Sequence, residues 1–308
     1  MIYVVGHKNP DTDSIVSAIA ITDYFQKLGK KAKAIRVGKI NKETEFVLNK
    51  IKIKAPSLIK NLSNKQVFLV DHNATEQSGD GIEKAEIIGV LDHHNLGGIK
   101  TDKPIYFRIE EIGSTASLIF KVFQEKNISL NKKQAFLLLC AIISDTLKFT
   151  SPTTIKKDIE IAKKLAVICE QDIDELAQDM FKAKSDIKGM SLENIILSDY
   201  KEYKEKNKIF GIGLFEIINP KIILDKKQKI LDLLVNLKQK KKIDLMFFTI
   251  VDIIKKQTYL FIIGDKEKII AEKAFKKKEK QNLIFLSGIV SRKKQIVPAI
   301  IKALESRK

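Results

Sequence analysis

The chain has no tryptophan, two cysteines, six prolines and four histidines in 308 residues. Without tryptophan, and with 6 tyrosines and 16 phenylalanines, there is little sign of the aromatic platforms on which single-stranded bases stack. Neither Cys140 nor Cys169 belongs to a CxxC pair. Cys140 lies in the apolar helical run 136–143 and reads as a buried free thiol, as expected in a reducing compartment. No apolar run reaches the roughly 18–20 residues of a membrane span. The opening Met1-Ile2-Tyr3-Val4-Val5-Gly6 has no basic leader and stops at a polar loop, so it reads as a first strand and not a signal peptide. These shortages predict a cytoplasmic protein without a membrane partner. Arginine is scarce too: of 56 basic residues only Arg36, Arg108, Arg292 and Arg307 are arginine. The lysines behind the +18 formal charge are scattered, with denser runs at 238–242 and 276–280. That distribution reads as a solvated lysine-rich surface rather than a nucleic-acid groove, and it suits an anionic substrate.

What is present is ample for folding. Hydrophobic residues make up 44% and charged residues 31%, and the length predicts two domains. Strand-like runs at 2–5, 34–37, 67–70 and 87–91 alternate with amphipathic stretches at 14–28, 43–50, 115–126 and 131–145. Helical stretches at 154–168 and 173–182 follow. Such alternation predicts a largely parallel sheet covered on both faces. A small, polar segment at 183–189 ends on glycine and reads as a hinge. Beyond it, strands at 210–217, 245–251, 259–263 and 283–290 alternate with helices at 225–240, 267–275 and 295–304. The expectation is an α/β protein. Its N-terminal domain, 1–186, is a largely parallel sheet flanked by helices, its smaller C-terminal α/β domain spans 190–308, and the active site lies between them.

The chemistry-bearing residues are unevenly placed. His7, His72, His93 and His94 all fall just after strand-like runs in the first third. His7 opens His7-Lys8-Asn9-Pro10-Asp11-Thr12-Asp13, the third strand ends in Asp71-His72-Asn73, and the fourth in Asp92-His93-His94. In a parallel sheet these ends share one edge, where ligands bind. Asp145, in Ser144-Asp145-Thr146, closes the long apolar helix, and a carboxylate at a buried helix end needs a partner such as a cation. Carboxylates with imidazoles suit Mn²⁺, Mg²⁺, Co²⁺ or Zn²⁺. Several carboxylates can hold two such ions, activating water for an in-line phosphoryl transfer. Each motif alone has a blander explanation as a solvated turn or a helix cap; four at the ends of apolar runs do not.

These four motifs resemble those of the DHH phosphoesterase superfamily. The segment Ser291-Arg292-Lys293-Lys294-Gln295-Ile296-Val297-Pro298 is similar to the signature of family II, manganese-dependent inorganic pyrophosphatases, and the likeness runs along nearly the whole chain. The resemblance implies two Mn²⁺ per subunit, with Co²⁺ or Mg²⁺ as substitutes. It implies that His7 and Asp11 hold one ion, that Asp13 and His93 hold the other with Asp145 completing its shell, and that Asp71 bridges the two. It further implies that His94 faces the substrate and assists the leaving phosphate, that Arg292 and Lys293 bind pyrophosphate, and that Lys201 is a further substrate lysine. A homodimer is implied as well. Two positions depart from the family pattern: Ala74 where glutamate is common, and Asn95 where arginine or lysine is common. Both sit beside ligand positions rather than on them. The expected activity is metal-dependent hydrolysis of pyrophosphate by direct water attack. Alternatives are another DHH enzyme, either an exopolyphosphatase or an oligonucleotide or cyclic-dinucleotide phosphodiesterase, and a catalytically silent regulatory or nucleic-acid-binding protein.

Overall fold

The structure, a computed structural model, describes residues 1–305; Ser306, Arg307 and Lys308, which the expected second domain includes, lie outside the described residues. The chain divides into two compact units, Met1–Ala183 and Lys184–Lys308. Among the described residues no helix is long and apolar enough to cross a membrane.

The first unit is built on strands β1 (Ile2–Val5), β2 (Ala32–Arg36), β3 (Ser57–Leu58), β4 (Gln66–Val70), β5 (Glu86–Asp92) and β6 (Tyr106–Ile109). They form one sheet in the order β3-β2-β1-β4-β5-β6, parallel throughout. Its helices are α1 (Thr12–Lys27), α2 (Lys42–Lys50), α3 (Thr115–Glu125), α4 (Lys132–Asp145), α5 (Lys156–Cys169) and α6 (Ile173–Lys184). Local chemistry sets where they begin. Asp11 caps α1 by accepting from the Ser14 amide at 2.9 Å, and Asn41 caps α2 through Thr44 at 2.8 Å. Asn131 and Gln134 form a reciprocal capping box on α4.

Helix α1 packs on α3 and α4, and α4 on α5. The pleat sends Phe68 of β4 toward α1, where its ring meets Phe25 edge-on at 5.2 Å. Its neighbours Val67 and Leu69 face the other way, into a cluster with Val5, Ile35, Leu62 and Ile82. Ile59, Ile99 and Ile105, from connecting segments, pack against that cluster. Loops therefore share in covering the second face. Strand β6 is an edge strand with Tyr106 and Phe107 exposed, which is why no buried-face alternation marked it in the sequence.

The second unit comprises α7 (Leu192–Leu197), β7 (Asp199–Glu205), β8 (Lys208–Ile217), α8 (Lys221–Leu224), α9 (Lys227–Lys241), β9 (Leu245–Asp252), β10 (Gln257–Phe261), α10 (Asp265–Phe275), β11 (Leu283–Ser287) and α11 (Val297–Glu305). Its five-stranded sheet runs β11-β10-β9-β8-β7, with β8 and β9 parallel and the other pairs antiparallel. All eight residues of β9 are buried, as befits a central strand. The strand expected at 283–290 ends instead at Ser287, because Gly288 takes a left-handed turn (φ 73°). The last helix is preceded by a π-helical turn, Arg292–Ile296.

Candidate metal centre

Parallel strands β1, β4 and β5 end on one edge, and each delivers a histidine or carboxylate there. His7 follows β1, Asp71 follows β4, and His93 and His94 follow β5. Helix α1 starts at the same edge with Asp11 and Asp13, and α4 ends there with Asp145. The loop after β1 can lie so close to α1 because residue 6 is glycine. A Cβ at Gly6 would stand 1.8 Å from the Ser14 hydroxyl oxygen.

The side chains gather in overlapping groups; one joins Asp71 and His93 to His94, and two more lie on either side of Asp71. Of these two, His7, Asp11 and Asp71 form one; Asp13, Asp71, His93 and Asp145 form the other, each with its ligand atoms within 4.8 Å of one another. Asp71 belongs to both. Its Oδ2 stands 3.4 Å from His7 Nε2 and its Oδ1 stands 3.5 Å from His93 Nε2. His7 Nε2 is also 3.4 Å from Asp11 Oδ2, and His93 Nε2 is 3.4 Å from Asp145 Oδ2. Two ligands each about 2.0–2.2 Å from a common ion stand roughly 3.0–3.5 Å apart, so these spacings suit a divalent cation in each group. The buried atoms His7 Nε2 and Asp71 Oδ2 make no hydrogen bond, and a cation between them would satisfy both. The oxygen and nitrogen donor set, without thiolate, fits Mn²⁺.

The supporting contacts are specific. His93 Nδ1 lies 2.9 Å from the Ile112 carbonyl, which fixes the tautomer that leaves Nε2 as a ligand. Thr115 Oγ1 donates to Asp71 Oδ1 at 3.0 Å, while the Thr115 and Ala116 amides at the start of α3 donate to the two oxygens of Asp13 at 2.6 and 3.0 Å. Asp71 itself takes a left-handed backbone (φ 60°), a cost of order 1–3 kcal/mol for a residue other than glycine that only a determined surrounding sustains. His72 is turned away: its ring nitrogens meet the Val70 carbonyl at 2.9 Å and the Ser78 hydroxyl at 3.0 Å. Asp92 accepts from the amides of His93 and His94 and lies 2.8 Å from His94 Nδ1. Asn73 donates to Asp92 at 2.5 Å and to the Asn95 carbonyl at 3.0 Å, and accepts from the Gly97 amide, so the departing residue Asn95 contributes its backbone to a latch.

Charge crowding is visible in the acidities. Burial, then repulsion from Asp13, Asp11 and Asp92, holds Asp71 well above the usual carboxylate range, against the Thr115 hydrogen bond. Burial and then Asp11 push Asp13 up to about 7, against the bonds from Thr115, Ser114 and Ala116. Asp92 is the opposite case. Burial would raise it, but the charge and hydrogen bond of His94, with His93 and Asn73, hold it far below the usual range.

In the second unit, Lys201 lies on β7 two residues after Asp199, and Arg292 is brought to the start of that strand. The guanidinium donates to the Asp199 carbonyl through Nη1 and to Asp199 Oδ1 through Nη2 at 2.6 Å. Lys293 follows Arg292 in the π-helical turn, which Ser291 caps through the Lys294 amide. Gln295 secures the loop, accepting from the Val290 and Ser291 amides at 2.9 Å each. Thr115, Asp92 and Asp199 are not among the candidate residues that the sequence offers. Asp92 stands inside the Asp92-His93-His94 motif; Thr115 and Asp199 carry no local signal, because their partners lie far along the chain.

Comparison with known proteins gives the class first. Residues 1–142 match the model of the DHH family, N-terminal domain, and residues 178–303 match that of the DHHA2 domain. The chain is 39% identical over 308 residues to a probable manganese-dependent inorganic pyrophosphatase of Clostridium acetobutylicum, covering 100% of this chain and 99% of that one. It is 37% identical to a manganese-dependent inorganic pyrophosphatase of Methanothrix thermoacetophila, covering 99% and 98%. A crystal structure of a putative family II inorganic pyrophosphatase from Methanococcus jannaschii superposes with a TM-score of 0.90 at 41% identity, covering 99% of this chain and all of that one. The chain thus belongs to the manganese-dependent, family II inorganic pyrophosphatases.

Proposed function

We propose that this chain hydrolyses inorganic pyrophosphate to two orthophosphates, using two Mn²⁺ ions held by its first unit. The observation that carries the reading is the single buried carboxylate of Asp71, with one oxygen toward His7 and the other toward His93. His7 and Asp11 would hold one ion, Asp13, His93 and Asp145 the other, and Asp71 both. Co²⁺ or Mg²⁺ would fit the same donors. Residues 1–186 would form the metal-binding domain and 190–308 the substrate-binding domain. The names of the relatives support the choice of substrate.

Bound, such ions supply Lewis acidity, lowering the pKa of a coordinated water and offsetting charge on the phosphoryl oxygens. The chain's own residues do the rest. Asp71, fixed by Thr115, sets the spacing of the two groups. Asp92 holds His94 by Nδ1, so that Nε2 would give a proton to the leaving phosphate. Arg292, Lys293 and Lys201 would bind the phosphate oxygens, arginine by its planar fork and the lysines as point charges. Water's oxygen forms the new bond to one phosphorus as the bridging phosphorus–oxygen bond breaks in line, and no side chain attacks phosphorus. In this reading the enzyme is a cytoplasmic homodimer without nucleic-acid or membrane partners; sedimentation at working concentrations tests the dimer.

The deciding assay measures phosphate release from pyrophosphate, tripolyphosphate and a dinucleotide side by side, with Mn²⁺, Co²⁺, Mg²⁺ or Zn²⁺ added in turn. Fast release from pyrophosphate with Mn²⁺ is expected. Preference for either other substrate would replace this reading with the corresponding DHH activity.

A further inference from the structure

Glu43 lies on the first turn of α2, far along the chain from every candidate ligand, and its side chain is fully buried. A buried carboxylate is costly unless its hydrogen bonds are specific. Its Oε2 accepts from Thr12 Oγ1 at 2.9 Å and from Ser144 Oγ at 2.6 Å. Thr44, the next residue of α2, adds a hydroxyl contact to Thr12 Oγ1 at 3.1 Å. Thr12 immediately precedes Asp13, and Ser144 immediately precedes Asp145. Asp13 and Asp145 fall in the same candidate metal group, with Asp71 and His93. One oxygen therefore ties the start of α1 to the end of α4 just behind two carboxylates of one group.

We propose that Glu43 is a positioning residue for that metal group. By joining Thr12 to Ser144 it fixes the separation of Asp13 and Asp145 and so tunes one of the two ion sites. Helix α2 is braced for this role: Asn41 caps it, and it packs on both α1 and α4. The group of His7, Asp11 and Asp71 shares only the Thr12 side of the tether, whereas Ser144 acts on the Asp145 side alone. Loss of Glu43 should thus fall unevenly on the two sites, which a general loosening of the fold would not do. This inference rests on the two-ion reading above.

The test is calorimetric titration of Mn²⁺ into the metal-free full chain, with unfolding curves recorded in parallel. For Glu43→Ala one site is expected to weaken by about 10- to 100-fold, the usual range for groups that orient a metal ligand, while the other stays within about 3-fold of the parent chain. Glu43→Gln keeps an acceptor oxygen for both hydroxyls and should retain both affinities. Leu48→Ala hollows the buried face of the same helix without touching the tether and should also retain them. If Glu43→Ala does not fold, Ser144→Ala, which cuts one arm only, should weaken the same single site. Parent-like affinities in Glu43→Ala, an equal loss at both sites, or the same loss in Leu48→Ala would overturn the assignment of Glu43. A parent chain that binds no Mn²⁺ would sink the two-ion reading itself, and the inference with it.

Discussion

The two units treat buried charge in opposite ways. In the second, Glu267 is buried beside Lys238 at 2.6 Å and also accepts from the Met246 amide, and Arg292 is held by Asp199. Asp252 spends an oxygen on the Ile254 and Lys255 amides of a tight turn. In the first unit Asp13, Asp71, Asp92 and Asp158 are all buried. Among the described residues no lysine or arginine pairs with any of them, in a chain whose formal charge is +18. Asp158 is satisfied by the Gly113 and Ile155 amides and the Ser117 hydroxyl, and Asp92 by His94 and amides. Asp13 and Asp71 are left crowded together, their carboxyl pKa values pushed above the usual carboxylate range. The second unit settles its buried charges with its own cations or backbone amides; the first leaves Asp13 and Asp71 a place for cations from outside.

The most damaging way to break this contrast is Asp71→Ala. It removes the oxygens that both groups share, so pyrophosphate turnover should fall by at least about 10³-fold, the scale of losing a principal element of electrostatic stabilisation. Mn²⁺ affinity should fall with it. Phosphate release and equilibrium metal binding on one preparation check both, and normal turnover would remove Asp71 from the site. Next comes Arg292→Ala, expected to cost roughly 10²–10³-fold in kcat/KM for pyrophosphate. Here Mn²⁺ affinity should be unchanged, because the guanidinium belongs to the other unit. A parallel loss of metal binding would show that the separation of roles between the units is wrong.

How much of this could be read from the sequence follows from where the determinants lie. Histidines and aspartates at the ends of β1, β4 and β5 were legible because parallel strands put their ends on one edge, whatever the details. Asp145 was legible as a carboxylate ending an apolar helix. Glu43 was not: its partners are 31 and 101 residues away, and an acid in a first helical turn reads as an ordinary favourable charge. Thr115 was hidden likewise, its bond to Asp71 spanning 44 residues. In the second unit the antiparallel partner β7 passed unread, since its alternating charged residues look like a solvated stretch. The Arg292 segment is legible as a motif, but nothing in it announces that Asp199 takes two of the arginine's donors.

A smaller effect sharpens the first unit's side of the comparison. Asp92→Asn keeps the size of the side chain and removes the charge that holds His94. Turnover should drop about 10- to 100-fold, in the range for groups that orient a catalytic or ligating histidine. The loss should appear mainly in kcat rather than KM, because His94 is assigned to the leaving group rather than to substrate binding. A change confined to KM would place His94 on the bound pyrophosphate instead.

The mildest test concerns the second unit's self-contained pairing. Lys238→Met keeps the apolar stem of the lysine and deletes the ammonium beside Glu267. The lysine side chain is 25% exposed, so water softens the loss, and Glu267 retains the Met246 amide. The expected cost is about 2 kcal/mol, within the range for a hydrogen bond to a charged group, read as an earlier denaturant midpoint with an unchanged slope. Mn²⁺ affinity and pyrophosphate turnover at 25 °C should stay as they are, since this pair serves packing alone. If Lys238→Met weakened Mn²⁺ binding while leaving the midpoint in place, the charge of the second unit would be acting on the first unit's ions. The division between a unit that balances its own charges and one that borrows them would then fail.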